Sequence, residues 1–328
     1  MGSTIGRTAW QAFFALALLA GTARCFAQAP YPDKSIKILV PFLPGGSVDL
    51  VIRLLAEELT PRLGKPIVIE NRAGAGGIIA ADAVAKAPPD GYVLLFTAPG
   101  PLVTTPFMIR SMPYDAQSAF APISLVTSTP NVLTVNPDSP FHSIEDVVAR
   151  AKAHPNTVTY GTPGVGTIGH LAGALVAREL QIDLVHVPYK GFPPLLADAK
   201  AGRIDVMITE SINSIPRIRS GELRALALTA AQRSSQLPNV PTLAEDGHPG
   251  AIAESWYALV GPAGTPIEIR KLLADDIRNA LHTQKISQRL KDMGVEIRGS
   301  SPEELGEYVV AEYEKWGRLI KSYPSLHQ

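Results

Sequence analysis

Cysteine is nearly absent from this sequence: Cys25 is the single one among 328 residues. It falls in a leader expected to be removed. The mature chain then has none, which excludes disulfides, thiolate catalysis and cysteine-ligated metal together. A surplus of one charge sign is also missing. Lys+Arg and Asp+Glu both number 30, so nothing points to nucleic acid or an anionic membrane. Three Trp and nine Tyr leave little for an aromatic stacking surface. The seven His show no HExxH and no paired spacing. His142 and His154 flank a helix too far apart to share a face, and His186 sits in a strand that reads as buried, so no metal site is supported. Beyond the leader, no segment approaches the roughly 18 consecutive apolar residues of a membrane span.

What is present is a globular composition, 46% hydrophobic and 18% charged, in a chain long enough for two domains. The first 29 residues read as a signal peptide. Arg7 supplies a weak positive region, Ala9 to Ala20 an apolar run too short to span a bilayer, and Ala27-Gln28-Ala29 a cleavage pattern. Arg24 directly before Cys25 speaks against a lipid-attachment cysteine. The expected product is an exported, soluble chain beginning at Pro30.

The mature chain alternates strands and helices, which implies right-handed βαβ units and parallel sheets. IKILV (Ile36 to Val40) leads through a glycine loop to a helix from Ser47 to Leu63 that Gly64 ends. PIVIEN (Pro66 to Asn71), a second glycine turn at Gly74, Gly76 and Gly77, a small helix and YVLLFT (Tyr92 to Thr97) follow. Ile123 to Pro137 reads as a long extended stretch interrupted by Pro130, a crossing between two lobes. Ser143 then caps a helix that Pro155 stops.

The opening pattern recurs in the middle of the chain. TVTYG (Thr157 to Gly161), a glycine loop from Thr162 to His170 and a helix to Leu180 are followed by strands at Leu184 to Tyr189, Arg203 to Thr209 and Leu223 to Thr229. SWYALVGP (Ser255 to Pro262) resembles a second crossing strand. Two helices are expected to end the chain, the second opened by a capping box at Ser301 and Glu304. The expected organisation is α/β and two-lobed, each lobe a mainly parallel sheet flanked by helices. Lobe 1 takes residues 30–127 and 256–328, and lobe 2 takes 128–255.

Two loops carry the chemistry. Each follows a strand and opens a helix, where backbone N–H groups lack intrahelical acceptors and the dipole favours an anion. In open α/β sheets ligands sit beyond the carboxyl ends of strands. One such loop per lobe would converge on a carboxylate, with the hydroxyls of Ser47, Thr162 and Thr167 as further donors. Thr97, Thr104 and Thr105 lie beyond the third strand. Tyr189 and Lys190 end a strand of the second lobe, and Glu210 follows another. Glu210 would disfavour a second carboxylate there and could favour an amino or hydroxyl group. Arg72 reaches either an acidic ligand or a surface salt bridge.

Other readings are weaker. Gly164, Gly166 and Gly169 fit GxGxxG, but Asp183, at the spacing of a ribose-binding acid, precedes its strand where a dinucleotide fold needs it at the far end. Ser47, Asp49 and His170 suggest a hydrolase of carboxylate esters, but the GxSxG elbow is absent. Asp49 in a first helical turn is more simply a dipole partner.

PFLPGGSVDLVIRLLAEEL, ENRAGAGGIIAADAVAKAPPDGYVLLF, GTIGHLAGAL, VHVPYKG and LPNVPTLAEDG, in this order, resemble the Bug family, the solute-binding proteins of tripartite tricarboxylate transporters. The resemblance covers essentially the whole mature chain. It implies a monomeric, two-lobed periplasmic binding protein that closes by hinge motion on a small organic acid. The closed form would be presented to a membrane permease, with no cofactor and no catalysis. A sensor handing its closed form to a kinase is an alternative that sequence does not separate. Carried over residue by residue, the resemblance points to Phe42, Leu43, Gly45, Gly46, Ser47 and Asp49, and to Thr162, Gly164, Gly166, Thr167 and His170. Leu43 and Val48 stand where the family commonly has proline and threonine, and Thr162 and Pro163 where serines are frequent. Glu210 stands where an aspartate or a neutral residue is common.

Overall fold

The computed structural model describes residues 31–322. The expected leader, with Cys25 and the cleavage site at Ala29, lies outside the described residues. The chain divides into a short unit, Met1–Asp33, and the body of the molecule, Lys34–Gln328.

The body opens with β1 (Ile36–Val40), α1 (Ser47–Leu63), β2 (Ile67–Asn71), α2 (Ile78–Ala85) and β3 (Val93–Thr97). β1 is buried at four of its five positions, as a strand covered on both faces must be. It pairs in parallel with β2 and β3. α1 buries Val48, Val51, Ile52, Leu55 and Leu59, the stripe that 3.6-residue periodicity dictates. Two short helical turns, Gly100–Thr104 and Thr105–Phe107, precede β4 (Phe120–Val135).

The middle of the chain supplies α3 (Ile144–Ala153), β5 (Val158–Thr162), α4 (Ile168–Glu179), β6 (Leu184–Pro188), α5 (Phe192–Lys200), β7 (Val206–Glu210), α6 (Ser211–Arg219) and β8 (Arg224–Leu228). β5 pairs in parallel with β6 and β7. The chain returns through β9 (Glu254–Pro262) and ends in α7 (Ile267–Leu281), α8 (Gln284–Asp292), β10 (Glu296–Ile297) and α9 (Pro302–Lys321).

The strand order is β2-β1-β3-β9-β4-β7-β5-β6, with β8 and β10 also on β4. The sheet is parallel at both ends and antiparallel through β3-β9-β4-β7. β4 is the shared strand. It runs beside β9 as far as Pro130 and takes up β7 at Asn131. Pro130, expected to interrupt the extended stretch, leaves the strand continuous. It has no N–H to donate, so the ladder changes partner there at little loss.

Three helices end the chain. The one not anticipated, α8, reads QKISQRLKD and buries only Ile286 and Leu290. Two apolar residues in nine make too faint a stripe to read from sequence. Thr283 nevertheless caps its N-terminus, accepting from the Ile286 N–H. α9 is fastened to the central strands by a buried carboxylate. Glu312 accepts from the indole N–H groups of Trp256 (3.2 Å) and Trp316 (2.8 Å) and from Lys315 (3.0 Å). One apolar core runs through both ends of the sheet, from Leu39 and Leu95 to Tyr160 and Ile208.

Candidate functional site

The β1–α1 loop is braced from behind. Gly45 adopts φ +83°, a turn that points its N–H at the Asp49 carboxylate, 3.0 Å away. Asp49 also accepts from Arg53 Nε and Asn71 Nδ2, each at 2.9 Å, and Asn71 donates to the Phe42 carbonyl at 3.0 Å. Burial opposes the Asp49 charge, but the hydrogen bonds from Arg53, Gly45 and Asn71 outweigh it and hold the carboxyl below its usual range. Gly46 stands at the N-cap of α1 with no side chain to cap it. The first N–H groups of a 17-residue helix therefore face the loop without an intrahelical acceptor.

The β5–α4 loop is wired differently. The Thr167 hydroxyl caps α4, accepting from the His170 N–H at 3.3 Å and donating to the Gly164 carbonyl at 2.8 Å. The Gly166 N–H donates to His170 Nδ1 at 3.3 Å. His170 stacks on His186, ring centroids 3.9 Å apart, and His186 Nε2 bonds the Thr162 hydroxyl at 2.7 Å. Burial pulls the His170 pKa down to about 4; burial and the neighbouring His170 pull that of His186 to about 3. Both rings are neutral near pH 7, and Nδ1 of His170 is an acceptor. The two loops are thus not equivalent: α1 offers open donors, while part of the α4 terminus is already engaged.

The halves meet across the cleft. The Thr104 hydroxyl donates to the Gly166 carbonyl at 2.5 Å. A Cβ on Gly76 would lie 3.3 Å from the Val165 carbonyl oxygen, and one on Gly191 would lie 3.6 Å from the Leu43 side chain. Between the halves is a chamber of about 30 Å³, walled by Phe42, Leu43, Gly46, Ser47, Thr167 and Glu210 among others. That is space for about two waters. Outside it, sharing Phe42, Leu43, Pro163 and Thr167, lies a groove of about 800 Å³ that Gly164, Gly166, Tyr189 and Lys190 also line.

Ten of the fifteen candidate ligand residues thus converge, and Thr105 joins them in the groove. Gly45, Asp49, Thr97, Thr162 and His170 line neither space. Thr97 turns its hydroxyl to the Ala98 carbonyl, and the other four hold the loops as described. Tyr189 donates its phenol to Asp198 at 2.8 Å, while Lys190 is exposed at the groove. Arg72 pairs with Glu70. Ser47, Asp49 and His170 form no relay, because Asp49 is bound to Arg53 and His170 Nδ1 to Gly166. Among the described residues no cluster of His, Cys, Asp or Glu could hold a metal, and no helix is long and apolar enough to cross a membrane.

Sequence reading missed Asn213, Ser255 and Phe192 in the chamber, and Gly77 and Met108 in the groove. Asn213 follows β7 by one helical turn, so the rule that ligands lie past strand ends pointed to it. Ser255 sits inside β9 and carries no such mark.

Glu210, which is 7% exposed, is part of the chamber wall. Ser255 Oγ donates to its Oε1 at 3.3 Å and Asn213 Nδ2 to its Oε2 at 3.4 Å. Burial pushes its carboxyl above the usual range, against its own backbone N–H and the hydrogen bonds from Ser255, Asn213 and Ser47, the first residue of α1.

A mixed sheet folded into two halves, with glycine loops facing each other over a cleft, is the fold of a periplasmic binding protein. Residues 51–324 match the tripartite tricarboxylate transporter family receptor, and the chain belongs to that family. It is 35% identical over 303 residues to the protein BugT of Bordetella pertussis, covering 92% of this chain and 93% of BugT. Among solved structures, Rpa4515 of R. palustris with adipate has a TM-score of 0.86 at 35% identity, over 89% of this chain and 97% of that one. MatC of Rhodopseudomonas palustris with bound malate has a TM-score of 0.84 at 30% identity, over 88% and 100%.

Proposed function

We propose that this receptor captures a small organic acid between its two glycine loops and presents its closed form to the permease of a tripartite tricarboxylate-type transporter, without chemical turnover. The observation that carries the reading is the uncapped N-terminus of α1 at Gly46 and Ser47, aimed into a chamber between the halves. Helix donors of that kind suit a carboxylate. Relatives with adipate and malate bound support the same ligand class. The chamber as it stands is too small for such acids, so the halves part to admit one and close on it. The hinge of this reading lies where β4 changes partner at Pro130 and where the chain re-enters β9 near Ser255, with 30–127 and 256–328 as one lobe and 128–255 as the other. The leader is removed near Ala29, the mature chain works in the periplasm as a monomer, and Lys190 stands ready for the distal end of a diacid.

The test is thermal denaturation with a panel of mono-, di- and tricarboxylates. A ligand at a hundredfold its Kd adds about 2.7 kcal/mol of stability. A hit recovered unchanged by mass spectrometry supports binding without turnover. No shift with any acid would overturn the proposal, and a chemically altered hit would favour an enzyme.

A further inference from the structure

Glu210 and the open donors of α1 meet at one residue. Ser47 is the first residue of α1, and its hydroxyl hydrogen-bonds the Glu210 carboxylate. Both wall the same chamber of about 30 Å³. A carboxylate gripped by the first N–H groups of α1 therefore lies beside Glu210, which is 7% exposed. At the ~4–6 Å separation that a shared neighbour imposes, two buried carboxylates do not both stay ionised without a cation between them.

The surroundings supply no such cation. No lysine, arginine or histidine among the described residues lines the chamber. Glu210 meets Ser47 from α1, Asn213 from α6 at 3.4 Å and Ser255 from β9 at 3.3 Å. Asn131, its register partner on β4, donates its amide to the Ala253 carbonyl instead. The titratable neighbour is Tyr257 of β9, whose phenol stays protonated because burial and the Glu210 charge both raise it. All of these groups are neutral. Burial alone already raises the proton affinity of the Glu210 carboxyl against its hydrogen bonds, and an anion brought alongside raises it further.

We propose that the receptor takes up one proton with each acid it captures, held between the Glu210 carboxyl and the ligand carboxylate. This rests on the carboxylate-capture reading and adds the charge state in which the acid is held. With the halves apart, Ser47 leaves Glu210 and water reaches the carboxylate, which is then ionised near pH 7. Closure on the acid expels that water and draws a proton from solvent onto the pair. The proton belongs to the pair rather than to either carboxyl. One negative charge remains in the chamber, and the N-terminus of α1 offsets it.

The experiment is isothermal titration of the mature chain with adipate, malate, hexanoate and benzoate, in phosphate and in Tris at about pH 7.5, where all these acids are fully ionised. The difference in heat between the two buffers counts the protons exchanged, and about 0.5–1 should be taken up per acid bound. Affinity should fall by up to about tenfold per pH unit between about pH 7 and pH 9. His170 and His186, which titrate at about 4 and about 3, are neutral throughout that range. Glu210→Gln keeps the shape of the protonated carboxyl, so it should take up no proton and bind equally well across the range. Ser255→Ala removes a donor from the carboxylate and should move the fall in affinity to higher pH by about half a unit or more. It provides the second variant should the first fail to fold. Acids that bind without proton uptake, uptake that survives Glu210→Gln, or a profile that Ser255→Ala leaves unmoved would overturn the proposal while leaving carboxylate capture standing. Binding of none of these acids would overturn both.

Discussion

Gly166→Ala tests the closing contact directly. Gly166 sits at φ +77°, and alanine there costs about 1–2 kcal/mol in any state of the protein. The second effect depends on the cleft. The new Cβ would lie 2.8 Å from Thr105 Oγ1, on the opposite half. That contact exists only when the halves are together, and relieving it costs about 1–3 kcal/mol. Stability of the open form should fall by the first amount, and ligand affinity by the second, about 5- to 150-fold. Thr105 Oγ1 is buried and has no hydrogen-bond partner, so Thr105→Ala alone should be close to neutral. Added to Gly166→Ala, it should restore at least half of the lost binding free energy. Affinity is read by titration calorimetry with the tightest acid of the panel, and stability by urea denaturation of the ligand-free protein. If Gly166→Ala binds normally, or if Thr105→Ala restores nothing, the halves do not close against each other at this point.

Three further outcomes follow from buried polar groups. Unfolded histidine takes a proton below about pH 6.5, whereas His170 and His186 resist protonation down to about 4 and about 3. The unfolded state therefore binds more protons, and stability should fall as the pH drops through that window. Between pH 7 and pH 5 His170 alone accounts for about 2 kcal/mol. Urea melts should show that slope and a shallower one in His170→Gln; an equal slope in both would assign the effect elsewhere. Asp49→Ala leaves Gly45, Arg53 and Asn71 without their acceptor and should destabilise the protein by about 1–3 kcal/mol, while weakening ligand binding through the slackened loop; unchanged affinity would detach Asp49 from the site. Glu312→Ala strands two buried indole N–H groups and should lower stability by about 2–4 kcal/mol, seen as an early thermal transition; a wild-type melting curve would mean α9 is held by apolar packing alone.

What the sequence determined by itself was the set of local units. The strand IKILV, the stripe Val48–Val51–Ile52–Leu55–Leu59 and the stop at Gly64 are consequences of short-range periodicity and of one glycine in the left-handed region. The same logic exposed the recurrence at β5–α4, and so the two-loop cleft. α8 escaped it because two buried residues make no stripe. The tertiary structure decided which donors stay open. Gly166 looks as available as Gly46 in sequence, yet its N–H goes to His170, a ring held by a stack on His186 from the next strand. It also decided which acid matters. Asp49 and Glu210 are both carboxylates near strand ends. Asp49 finds Arg53 one turn along its own helix, a partner that i,i+4 spacing makes legible. Glu210 finds Asn213 one turn along in the same way, but its other partners, Ser255 of β9 and Ser47 of α1, come from distant elements, and no local pattern encodes their approach.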